Sequence, residues 1–483
     1  MGLAAHSRAS KIEDWRRTGL SDTRGYRLRT TGYLSPAGLE RTPAGAYDAE
    51  SITELDMDLA VQKSPHMHGT VRIPPNKSHS FRALIMAGLA EGVSRIIGPA
   101  VSNDWMRGIE ALEMLGAKVD PKANHHWEIT GTAGQLKTPD DVIDCGNSGI
   151  ILRFFMGLAA CCEGYTVLSG DESIRRLRVC QPLIDAINGL GGWAVSTKGD
   201  GHAPVVVRGR LKGGRTELDG KDSQPVSALL IAAALAEAPT DLIVRNPGEK
   251  PWVGVTLHWL SRCGVEFSNE DYAHYRIRGK SRWKGFEVNV PLDWSAALYP
   301  IVAAVMSEDS EVRVPGMDFQ DCQGDKQVIN VLREMGADIR IEGDTVIARS
   351  SKLKGRQIDC NDFVDQFMLL AVVGARAEGE TVLTNAEICR HKECDRITEI
   401  CQALKAMGAG VAERPDGLVV RGGRLRGVHL NSKADHRMVM TLAVAGLVAE
   451  GTTVISDVEC VKKTFPSFVA EMQSIGCDMN KIG

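Results

Sequence analysis

The chain has 483 residues, 43% of them hydrophobic and 24% charged, with a formal net charge of −4. That length implies two or three domains and a core large enough to need no disulfide or metal staples. The charge balance advertises neither nucleic acid nor an acidic membrane surface, so any anion the protein binds must be held by a local basic cluster.

Residues 1–63 read as an N-terminal extension, rich in Arg, Ser, Thr and Gly, with one short helix near 12–17. This arm lacks the apolar core of a signal peptide, and Glu13, Asp14 and Asp22 weaken a transit-peptide reading. A strand at 70–73 follows. It leads into Pro74-Pro75-Asn76-Lys77-Ser78-His79-Ser80-Phe81-Arg82, the start of an amphipathic helix. Free backbone N–H groups, the helix dipole, a lysine and an arginine one turn in make an anion site, or else an ordinary capped helix with surface charges.

Farther along, Cys145-Gly146-Asn147-Ser148-Gly149 opens a helix carrying Arg153. Its glycines allow close backbone approach to a ligand, although a plain turn-plus-cap reads the same way. Stretches 226–236 and 440–448 read as buried core helices, apolar on most faces and too short to span a bilayer. Charged runs mark further helix starts: Arg390-His391-Lys392-Glu393-Cys394-Asp395-Arg396, then Asp435-His436-Arg437 abutting an apolar helix, then the loop Lys462-Lys463-Thr464-Phe465-Pro466. A solvated surface is the usual meaning of such runs; their recurrence at comparable places favours a shared cleft instead.

The recurrence is a repeat. Six segments run from an apolar helix through a Glu-Gly-like stop into a strand, with Glu at 91, 163, 237, 308, 378 and 450. A glycine after the last helical residue keeps the same beat at 116, 191, 264, 336, 408 and 476. Each unit of about 70 residues reads strand–helix–strand–helix–strand. Six such α/β units suggest two domains of three, with the active site in the cleft between them. The twelve cysteines show no CxxC pair and no zinc-type spacing, so reduced, mostly buried thiols in a cytoplasmic protein are expected.

Motifs in the stretch 64–483 resemble the EPSP synthase family: KS-x-S-x-RA at 77–83, GN-x-G at 146–149, K-E-x-D-R at 392–396, DHRM at 435–438 and KTFP at 463–466, in family order. The resemblance implies a two-domain inside-out α/β barrel of six βαβαββ repeats. One domain is expected from 64–75 with 293–483 and the other from 76–292. The implied reaction moves the enolpyruvyl group of phosphoenolpyruvate to a hydroxyl of a small anionic acceptor, by addition and elimination of phosphate. It needs no metal or cofactor, and family members are commonly monomeric. By the same resemblance Lys77, Asp365 and Glu393 are catalytic. Asp365 takes the hydroxyl proton, Glu393 serves C3, and Lys77 assists. Phosphoenolpyruvate is expected at Lys77, Gly149, Arg178, Gln224, Arg396, Arg437 and Lys463. The acceptor is expected at Ser78, Arg82, Asp222, Ser223, Glu249, Asp365 and Lys392.

The acceptor shell departs from the family pattern. Asp222 and Glu249 stand where serines hold the acceptor's phosphate, Ile388 where an asparagine is common, and Ile150 where a threonine is common. A carboxylate at contact with a phosphate repels it by roughly 4 kcal/mol per unit-charge pair at an effective dielectric near 20. A non-standard acceptor such as UMP, in nucleoside-antibiotic biosynthesis, is therefore expected. The alternatives are the standard 3-phosphoshikimate reaction of aromatic amino acid biosynthesis and a non-catalytic binding homologue.

Overall fold

The computed structural model describes residues 57–123 and 125–482; the helix expected near 12–17 lies outside them. Helices Gly149–Ala159, Trp294–Met306 and His436–Leu447 have every residue buried. Their apolar runs leave no face to offer water, so they can only be interior elements. The strands accordingly lie outside, in six four-stranded sheets. The usual layering is inverted, with helices packed on one another inside and small sheets around them.

Every sheet follows one plan. Ile143–Asp144 runs parallel to Tyr165–Ser169, which runs antiparallel to Val205–Arg208, which in turn pairs with Trp193–Ser196. The parallel step requires a crossover, and the buried helix Gly149–Ala159 provides it. The six spaced glycines expected to stop helices all have positive φ, from 71° to 104°, a conformation that a Cβ would strain.

Two strands are exchanged between sets of sheets. His66–Thr70 pairs in parallel with Asp309–Val314, whereas Glu287–Asn289 pairs in parallel with Val93–Ile97. The chain thus passes twice from one set to the other. Two apolar cores result: one gathers residues from 59–73 and 294–479, the other from 81–290.

Two expected boundaries shift. The strand placed at 70–73 instead ends at Thr70, where its pairing with Arg313 ends; Pro74 and Pro75 beyond it offer no N–H to a ladder. Residues 58–61, placed in the N-terminal extension, form a strand between Thr453–Ser456 and Met479–Ile482 and bury Leu59 and Val61. All twelve cysteines are free. Among the described residues no helix is long and apolar enough to cross a membrane.

Candidate active site

Helix starts from both cores open on one cavity of about 90 Å³. Lys77, Ser78 and Arg82 come from helix Lys77–Leu89, Gly149 from Gly149–Ala159, and Ser223 and Gln224 from Ser223–Leu235. Across from them stand Asp365, Lys392, Glu393, Arg396, Arg437 and Lys463. Seven cationic side chains face four carboxylates, a local surplus in a chain whose net charge is −4.

The densest cluster surrounds Arg396, which is 1% exposed. Its guanidinium donates to Asp435 at 2.8 Å, to Asp365 at 2.9 Å and to Glu393 at 2.8 Å. Asp435 also caps helix His436–Leu447, accepting from the N–H groups of Arg437 and Met438, so the charged triplet is both cap and counter-ion. Arg437 donates to the other oxygen of Asp365 at 3.0 Å. Burial pushes the Asp365 carboxyl upward, but Arg437, Arg396 and Lys392 outweigh it and hold the group at about 2. Glu393 is likewise held well below the usual carboxylate range, burial being overcome by Arg396, Arg178 and Lys463. Both carboxylates are therefore ionised. Behind them Asp325, buried and facing the charge of Asp365, is pushed up to about 7.

Lys463 reaches Asn147 Oδ1 at 3.0 Å and lies 3.6 Å from Glu393 and 3.7 Å from Asp104. Lys77 lies 3.8 Å from the same Asp104 oxygen. Burial and the neighbouring Lys463 lower the proton affinity of Lys77, which suits an amine that moves protons. At Gly149 a Cβ would stand 2.8 Å from Arg153 Nη1 and 3.0 Å from Gln224 Oε1, so only glycine leaves this wall open.

Of the three neighbouring arginines, Arg178 is the one that lines the cavity. It lies 3.3 Å from Glu393 and donates to the His391 carbonyl at 3.2 Å. Arg176 pairs with Glu172 at the surface, and Arg175 turns back onto the Gly170 carbonyl.

The acceptor end is differently built. Arg82 is 2% exposed, donates to Thr256 at 2.7 Å and to the Trp252 carbonyl at 3.0 Å, and lies over the Phe154 ring. Among the described residues no carboxylate pairs with it, and burial lowers it to about 10. Beside it, Lys392 donates to Glu249 at 2.6 Å. The other oxygen of Glu249 accepts from both the N–H and the hydroxyl of Ser223 at 2.9 Å. Burial opposes the charge on Lys392, but Glu249, Asp222 and Asp365 raise its proton affinity on balance.

Asp222 is the one expected site residue that does not line the cavity. Its carboxylate caps helix Ser223–Leu235 through the Gln224 N–H and pairs with Arg153 at 3.1 Å. The carboxylate is thus held by its own helix cap and by a buried arginine, with Lys392 and Arg178 of the cavity also stabilising its charge. Ile150 lines the cavity, whereas Ile388 packs against the apolar core.

Besides Ile150, four lining residues were not among the expected site residues: Asp104, Ser148, Trp252 and His436, of which Ser148 and His436 stand inside motifs already singled out. Oxygens of Asp104 and Ser148 and the Nδ1 of His436 are buried with no hydrogen-bond partner among the described residues, although Asp104 faces Lys77 and Lys463 and His436 Nδ1 lies 3.8 Å from Asp435. Burial, reinforced by Lys77, Arg437 and Lys463 against the pull of Glu393, keeps His436 neutral. Asp104 and Ser148 share one signal, a polar residue at a repeat's helix start, that could have found them. A possible metal cluster elsewhere, His79–Asp321–Cys322, is already used in hydrogen bonding: Trp259 Nε1–H donates to His79 Nδ1, leaving Nε2–H for Asp321.

Residues 61–472 match the family model described as EPSP synthase (3-phosphoshikimate 1-carboxyvinyltransferase). A 3-phosphoshikimate 1-carboxyvinyltransferase of Acetivibrio thermocellus is 44% identical over 88% of this chain and 99% of its own length. One of the same name from Methanocaldococcus jannaschii is 40% identical over 87% and 99%. Among solved structures, EPSP synthase from Acinetobacter baumannii superposes with a TM-score of 0.74 at 27% identity, over 88% of this chain and all of that one.

Proposed function

The chain belongs to the EPSP synthase family of enolpyruvyl transferases, and on that premise we propose that its acceptor is shikimate 3-phosphate. The reaction is then the one named for its relatives, 3-phosphoshikimate 1-carboxyvinyl transfer. The observation that carries this reading is the cavity itself. Asp365 sits ionised between two arginines, 2.9 Å from one and 3.0 Å from the other, with Glu393 on the same Arg396. The relatives' names favour shikimate 3-phosphate over a UMP-type acceptor. So does the pairing of Asp222 with Arg153, which offsets the charge it would present to a phosphate.

In the proposed mechanism, Asp365 accepts the proton of the acceptor hydroxyl as its oxygen attacks C2 of phosphoenolpyruvate, while C3 is protonated. The tetrahedral ketal phosphate then loses a C3 proton and phosphate. Arg178, Arg396, Arg437 and Lys463, with Gln224 and the open wall at Gly149, hold phosphoenolpyruvate. Its negative charge offsets the cations that keep Glu393 ionised, raising the proton affinity of that carboxylate toward what an acid at C3 requires. Lys77 moves protons and neutralises charge. Arg82, with no paired carboxylate among the described residues, receives the acceptor's carboxylate. Ser78, Ser223 and Lys392 complete the acceptor end. The two cores act as two domains, 58–75 with 293–482 and 76–292, that part to admit substrates and close to exclude water.

The test is phosphate release and product mass with phosphoenolpyruvate and either shikimate 3-phosphate or UMP. Turnover with shikimate 3-phosphate supports the reading. Turnover with UMP alone refutes it and restores an acceptor end rebuilt around Glu249.

A further inference from the structure

Three donors converge on one point at the acceptor end, and the chain fills that point itself. The Ser223 N–H, at the start of a thirteen-residue helix, donates to Glu249 at 2.9 Å. The Ser223 hydroxyl does the same at 2.9 Å, and the Lys392 ammonium at 2.6 Å. Glu249 is 2% exposed and lines the cavity. A helix start, a hydroxyl and a buried ammonium are the donor set that an oxyanion of a ligand would use.

We propose that Glu249 is an internal occupant of an anion seat, which an acceptor's anionic group must displace, so that this residue sets the affinity for phosphorylated acceptors. The inference rests on the proposed acceptor for its biological meaning, but the donor set stands without it. A carboxylate and a phosphate dianion compete for the same three donors, and their like charges keep both from staying. Lys392 belongs to one core's side of the cavity and Ser223 with Glu249 to the other. The bond to Lys392 therefore also ties the two sides together while no acceptor is present. The backbone of Glu249 is held, its N–H donating to Asn361 Oδ1 at 3.1 Å, so displacement is a movement of the side chain. That backbone has φ 47° and ψ 39°, a left-handed conformation rarely adopted by a residue with a Cβ, just before helix Lys250–Arg262.

The experiment compares the full chain with Glu249→Ser and Glu249→Gln, the second being close in volume and so the safer folder. Calorimetry with inorganic phosphate reads the seat directly. Steady-state kinetics read KM for shikimate 3-phosphate and, separately, for phosphoenolpyruvate. The expected result is phosphate binding tighter by tenfold or more in both variants. The acceptor KM should fall by a similar factor while that for phosphoenolpyruvate stays within twofold. A merely structural role would lower the melting temperature and leave that split unmoved. Unchanged or weaker phosphate binding, or a rise in the acceptor KM showing that Glu249 receives acceptor hydroxyls, overturns the proposal. If wild type fails to turn over shikimate 3-phosphate at any concentration, the proposed function falls, while the phosphate calorimetry still decides the role of Glu249.

Discussion

The two ends of the cavity solve one electrostatic problem in opposite ways. Around Arg396 every charge is shared: one guanidinium serves three carboxylates, and Asp365 serves two guanidiniums. At the other end the charges are separated, with no carboxylate paired to Arg82 among the described residues and Lys392 bonded to Glu249. A shared network is rigid and holds its acids ionised, which suits chemistry. A separated set leaves one cation free and one anion displaceable, which suits recognition. The difference also sorts what mutation should do, since breaking a buried network leaves charges stranded, whereas altering an isolated cation changes binding alone.

The largest effect is expected at the hub. Arg396→Met strands Asp435 and takes one cation from Asp365 and from Glu393, so turnover should vanish and stability should fall by about 3–5 kcal/mol, read from denaturant melts beside phosphate release. Next, Asp365→Asn keeps the shape but removes the base. We expect kcat to drop by about 10²–10⁴ with a near-native melt; a drop of only a few-fold would reassign the base. At the other end, Arg82→Met should raise the acceptor KM by about tenfold to a hundredfold, the worth of about 1.5–3 kcal/mol for a charged hydrogen bond. The KM for phosphoenolpyruvate should move little, and equal changes in both constants would dissolve the contrast between the ends.

A subtler prediction concerns the floor of the network. Asp325 is pushed up to about 7 by burial and by the charge of Asp365. The folded protein therefore keeps a proton that the unfolded chain releases near the ordinary carboxylate value. Stability from this group is complete below about pH 4 and is lost as pH rises through about 7. Asp325→Asn should flatten that decline, so its melting temperature relative to wild type should climb between pH 5 and pH 7.5. The smallest effect is expected for Asp222→Asn, which retains an N-cap but weakens the pair with Arg153. It should cost about 1–2 kcal/mol of stability and leave the acceptor KM within threefold. That outcome would separate the two acids that occupy serine positions in the family pattern.

Much of this was legible in the residues. Glycine spacing marked six helix ends because only a residue without a Cβ takes positive φ cheaply, and all six do so. Apolar runs free of charge announced interior helices, and charged residues directly abutting them announced a site. The misreadings share a cause. The strand at 58–61 looked like part of an appendage because its partners, at 453–456 and 479–482, lie nearly the whole chain away. Asp104 looked ordinary because its neighbours Lys77 and Lys463 come from distant repeats.

Asp222 and Glu249 make the division plain. By itself the sequence determined the repeat, the interior helices and the inventory of cations and carboxylates, because these follow from side-chain size, polarity and backbone freedom taken locally. It also determined that two acids stand in the acceptor shell. Only the tertiary structure decided that one of them pairs with Arg153 and caps a helix, and that the other lines the cavity against Ser223 and Lys392. The direction of a carboxylate and the proton it holds depend on which distant charges folding brings within a few ångströms, and no local pattern records that.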